Sequence, residues 1–131
     1  MSRSKFQNME ISITNEKKIA DVQFEFNTLF PYLKLEFFSK PHKSGGRSNL
    51  KFILNGSKII GDCRTIIGTN EMIINQSMTV NELEQGLGTK FGIGVQVFRQ
   101  SGKVWLETTI TDGWTLEVQN SQGEDLSKET E

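Results

Sequence analysis

The sequence is poor in the residues that carry most catalytic and metal chemistry. It holds one cysteine, Cys63, and one histidine, His42, in 131 residues. One cysteine forms no intrachain disulfide, which fits a reducing compartment. A zinc site needs several Cys or His at ligand spacing, and that pattern is missing. No other cofactor is called for. Cys63 lies in GDCRT beside Arg64. A cation favours the thiolate, but a nucleophile also needs a positioned base. Cys63 therefore reads as a buried, inert thiol. His42, between Pro41 and Lys43, reads as a solvated loop residue. KSGGRS lacks the G-x-x-x-x-G-K-[ST] spacing of a phosphate loop. Glu82 and Glu84 read as charge near a helix start, and Glu124 and Asp125 as tail solvation. The inventory does not argue for an enzyme.

Long apolar runs are missing as well. No window approaches the roughly 20 apolar residues that span a bilayer. The N-terminal MSRSKFQNMEISIT has no apolar run of signal-peptide length. A soluble, cytoplasmic protein without membrane contact is expected. Net charge is also small, with 15 basic and 16 acidic residues. That is not the balance of a globally basic nucleic-acid binder. The charges are nevertheless segregated. Lys34, Lys40, Lys43, Arg47, Lys51, Lys58 and Arg64 oppose only Glu36 and Asp62 between residues 34 and 64. From Glu107 onward the acids oppose Lys128 alone.

What is present is architecture. The length fits one domain, residues 1–131, with a core of its own. EISITNEKKIADVQFEFNTLF from Glu10 aligns with the segment from Glu71 to Phe91. Ile11 meets Met72, Ile13 meets Ile74, Ile19 meets Val80, Val22 meets Leu83, Phe26 meets Leu87 and Phe30 meets Phe91. Both copies pass from strand alternation to one helical face at the same place. Both return to a strand, YLKLEFF and IGVQVFR. Thr79 and Glu82 have capping-box spacing, and Asn15 is the candidate cap of the first helix. Phe30-Pro31 and Phe91-Gly92 end the helices.

The expected fold class is therefore α+β. Two β-α-β repeats, 10–38 and 71–110, form one mixed sheet with both helices on one face and an extra C-terminal hairpin strand. The ferredoxin-like arrangement is favoured, and a β-grasp-like sheet is the alternative. The connector 39–70 begins as a Gly-rich loop. A short strand near 51–54 and a helical turn after Ser57 are expected in it. In the tail, 111–131, one or two helical turns precede a fraying end.

VQVFRQSGKVWLETT, from Val95, reads as a hairpin turning at Ser101-Gly102. Val95, Val97, Val104 and Leu106 then face the helices. Phe98 and Trp105 share the helix-free face with Gln96, Gln100, Lys103 and Glu107. Trp114 and Leu116 are placed to fold back over the two rings. Otherwise the rings form an exposed aromatic patch, the mark of a contact surface. The segment FGIGVQVFRQSGKVWLETTITDGWTLEVQN resembles a group of small bacterial αβ proteins that share VQVFR-x-SG-x-VWLETT-x-TD-x-WTLE. That resemblance implies no activity, cofactor or binding residue. It agrees with Asp112 capping a short terminal helix.

These features point to a non-catalytic module acting through protein contact or self-association. Phe98, Trp105 and Trp114 are the candidate contacts, with Lys103, Lys40, Lys43 and Arg47 as a charged rim. The partner would be another protein or a second copy. Nucleic-acid or polyanion binding by the same face is the alternative, since open aromatic sheet faces stack bases.

Overall fold

A computed structural model describes residues 9–41, 52–69 and 71–129. In chain order the elements are β1 (Glu10–Ile13), α1 (Ile19–Leu29), β2 (Leu33–Phe38), α2 (Ile60–Cys63), β3 (Met72–Asn75), α3 (Val80–Phe91), β4 (Gly94–Ser101), β5 (Val104–Glu107) and α4 (Leu116–Glu129). The α+β class follows from the periodicities already noted. Alternate residues of the strands turn inward: Ile11 and Ile13, Met72 and Ile74, Leu33, Leu35 and Phe37, Val95 and Val97. They meet Ile19, Val22 and Phe26 of α1 and Val80, Leu83, Leu87 and Phe91 of α3 in one core. Those helical positions are the ones the alignment superposes.

The strands do not form the single mixed sheet expected. They divide into an antiparallel pair, β1–β3, and an antiparallel sheet in the order β2-β4-β5. Each half of the chain thus sends its first strand to one sheet and its second to the other. The cause lies just before each helix. There the backbone groups that would extend a sheet bond to a distant segment instead. Ile19 N–H donates to the Lys58 carbonyl at 2.9 Å, and Ile60 N–H donates back to Lys17 at 2.8 Å. Val80 N–H donates to Trp114 at 3.0 Å, and Leu116 N–H donates back to Met78 at 2.9 Å. The entries to α1 and α3 are therefore tied in the same way, to the starts of α2 and α4 respectively.

Helix ends follow local chemistry. Thr79 caps α3: its Oγ1 accepts from Glu82 N–H at 3.0 Å, and Glu82 Oε1 accepts from Thr79 N–H at 2.9 Å. Asn15 does not cap α1. Lys18 holds that position and has no side-chain acceptor, so only Asp21 reaches back, at 3.4 Å. Asn15 is committed elsewhere, its Oδ1 to Arg64 and its Nδ2 to Gly68. At the other end of α3, Gly92 takes φ +70° and donates to Gly88. A Cβ there would also lie 1.9 Å from Thr65 Oγ1.

In the connector, Ile53 bridges to Phe38, and α2 supplies the helical turn. The tail departs further from expectation. It forms a 14-residue helix, α4, against β4. Thr115, not Asp112, caps it, accepting from Val118 N–H at 3.1 Å. Asp112 instead lends its carbonyl to Asn81 N–H. The buried positions of α4 are Leu116, Gln119, Gly123 and Ser127. Only one of these is a large apolar residue, so hydrophobic periodicity alone understates the helix.

Candidate protein-contact surface

The hairpin turns one residue later than its sequence suggests. Ser101 pairs with Val104, leaving Gly102 and Lys103 as the turn. Gly102 adopts φ +66°, as the first central residue of a type II′ turn requires. Gln100 therefore faces Trp105, and Phe98 faces Glu107. The pairing partners change but the side-chain parity does not. Val95 and Val97 lie fully buried against the helices. Phe98 and Trp105 stand half-buried on the opposite face.

Lys34 of β2, across from Phe98, binds these rings together. Its Nζ sits 5.6 Å from the Phe98 centroid and 4.9 Å from that of Trp105. Such contacts contribute on the order of 0.5–1 kcal/mol at a partly exposed site. The face is not open along its length. Gln96 is fully buried, with no partner for its Oε1, and Phe38 is buried at the end of the β2–β4 pairing, opposite Gly94. The half-buried residues of this face are Lys34, Glu36, Phe98, Gln100, Trp105 and Glu107.

Trp114 does not cover the two rings. It lies 40 % exposed and stacks on Arg99, 5.8 Å from guanidinium to ring, on the helix side of the sheet. Leu116 is in the main core. The cause is α4. Gln119 accepts from Arg99 at 3.0 Å, Asn120 accepts from Tyr32 N–H at 2.8 Å, and Gly123 lies against Tyr32 and Arg99. These bonds draw the C-terminal segment to the helix side.

The same helix layer stops short of β5. Val104 and Leu106, expected in the core, are 55 % and 45 % exposed. They share the buried valines' side of the sheet, but β5 is an edge strand, on the far side of β4 from β2. The helices pack on β2 and β4, and Arg99 with Trp114 closes their margin.

The two sheet edges are treated differently. Along β2, Asn27 Nδ2 donates to the Leu33 carbonyl at 2.8 Å, Gln23 Nε2 to Leu35 at 2.9 Å, and Leu54 N–H to Phe37 at 2.8 Å. Where β4 runs beyond its pairing with β5, buried Glu84 accepts from Val97 N–H at 2.9 Å. Glu84 is thus not merely helix-start charge. Among the described residues, none bonds to the outer side of β5 at Trp105.

The remaining candidates are scattered. Lys40 is exposed and lies 4.8 Å from the Phe52 ring, beyond the end of β2 that is far from the hairpin turn. Lys43, Arg47 and His42 lie outside the described residues. Lys103 is exposed in the turn. Sequence reasoning missed Lys34 over the rings and the exposure of Val104 and Leu106. The alternation of YLKLEFF already placed Lys34 on the rings' face.

Burial raises the Cys63 thiol pKa, with Lys58 opposing and Asp62 reinforcing the shift. Arg64 is directed away, to carbonyls of Ile66, Gly68 and Lys90. Among the described residues, no three His, Cys, Asp or Glu side chains gather as a metal site. No helix among them is long and apolar enough to cross a membrane. Comparison of the chain with protein-family models, curated proteins and solved structures finds no match.

Proposed function

We propose that the protein is a non-catalytic contact module that binds protein through β5. One observation carries this reading: Val104 and Leu106 stand exposed on an edge strand, with Trp105 between them. Exposed apolar edge strands promote pairing with other chains, and native folds commonly blunt them. Here β2 and the part of β4 beyond β5 are blunted by Asn27, Gln23, Leu54 and Glu84, whereas no described residue bonds to the outer side of β5 at Trp105. An extended segment laid along β5 would gain main-chain hydrogen bonds and contacts to alternate side chains.

Polyanion binding is the second reading from the sequence. Lys34 already lies over the rings that bases would stack on, and Glu36 and Glu107 share that face. Both features favour a protein over a nucleic acid.

A photo-crosslinking residue placed at Leu106 tests the proposal, with one at exposed Phe24 of α1 as control. Protein adducts, to the same chain or another, are expected from position 106 and not from 24. Equal yields from both sites, or none from 106, would remove the reading.

A further inference from the structure

We infer that the occupant of β5 is a second copy of this chain, paired antiparallel with Trp105 on the two-fold axis. The inference rests on the contact reading above and names its partner. The geometry begins with hydrogen-bond direction. Gln100 N–H donates to Tyr32 of the β2 side, so even-numbered residues of β4 point to β2. Arg99 and Ser101 then point to β5, where they meet Leu106 and Val104. On β5 the inward groups are those of Val104 and Leu106. The N–H and C=O of Trp105 point outward.

An antiparallel pair of β5 strands must match outward residues with outward residues. Centring on Trp105 does so, and Trp105 exchanges two backbone hydrogen bonds with its symmetry mate. The same register sets Val104 of each copy against Leu106 of the other. Both side chains are about half exposed in the single chain and would cover one another. One step further out, Lys103 meets Glu107, so opposite charges face each other at both ends. The pairing is complementary in hydrogen bonds, apolar contact and charge at once. Sliding by two residues keeps the outward match but breaks the Lys103–Glu107 opposition. The three-stranded sheets become one six-stranded sheet with β2 at each end. Those ends are already capped by Asn27, Gln23 and Leu54, so the assembly closes as a dimer.

The interface is small, so dimerisation is weak and concentration-dependent. Sedimentation equilibrium of the purified chain, over about a hundredfold range of concentration, measures it. Lys103→Glu sets like charges opposite at both ends and should weaken the dimer roughly tenfold. Glu107→Lys should do the same. An equimolar mixture of the two variants restores opposite charges and should form the heterodimer, identified by native mass spectrometry. Circular dichroism verifies folding. Lys103 is exposed in the turn, so Lys103→Glu decides alone if Glu107→Lys fails to fold. A chain that stays monomeric throughout, a Lys103→Glu chain that dimerises like the parent, or folded variants that do not recover on mixing would overturn the inference. Adducts from position 106 that join only foreign proteins would leave β5 a contact strand but not a self-pairing one.

Discussion

Arg64 shows at the scale of one residue how sequence context misleads. Beside Cys63 it suggests an activated thiol, yet its guanidinium is buried and spent on structure. It donates to Asn15 Oδ1 and to the carbonyls of Ile66, Gly68 and Lys90, and its Cζ lies 4.1 Å from the Phe91 ring centroid. These bonds fasten the loop after α2 to the last turn of α3 and to the turn after β1. Lysine carries a single ammonium and cannot copy a planar fork. Arg64→Lys should therefore lower stability by about 2–3 kcal/mol, with carbonyls left short of donors. Urea unfolding measures the loss, and an unchanged midpoint would show the arginine to be dispensable. Lys34 is the converse case. The strand alternation of YLKLEFF puts it on the aromatic face, but its position over both rings depends on β2 and β4 being neighbours.

At the scale of elements, the two long helices of the repeat share a pattern but differ at their starts. Thr79 and Glu82 form a reciprocal box, while Lys18 offers α1 no side-chain acceptor. Thr79→Ala should cost about 1 kcal/mol, and Lys18→Ala should cost far less. Thermal or urea unfolding of the two variants checks the difference, and equal losses would discount the cap. The hairpin was legible in its parity but not in its register. Gly102 can serve as either residue of a two-residue turn, and the choice moves every pair while leaving each side chain on its face. The terminal helix was legible only in its first one or two turns. Its buried stripe of Leu116, Gln119, Gly123 and Ser127 is mostly polar or small, and it buries because Arg99, Tyr32 and Thr111 answer it.

At the scale of the whole molecule, α4 decides what remains exposed. It draws Trp114 and Leu116 to the helix side, leaving Phe98 and Trp105 to Lys34 and β5 to solvent. Gly123 tests its docking through the sign of one substitution. In a fraying tail, Gly123→Ala would raise helicity and favour the helix by roughly 1 kcal/mol. In the docked helix the added Cβ lies 2.8 Å from Tyr32 Cβ and 3.2 Å from the Gln100 carbonyl. Overpacking of that kind costs about 1–3 kcal/mol, so the variant should be less stable than the parent. A more stable variant in a denaturant titration would mean that α4 does not hold the sheet. The sequence by itself determined the α+β class, the two helical faces of the repeat and the inward valines, because hydrophobic periodicity is a local property of the chain. Only the tertiary structure decided the split into two sheets, the extent of α4 and the exposure of β5. Those depend on hydrogen bonds between residues far apart in sequence, which no local pattern records.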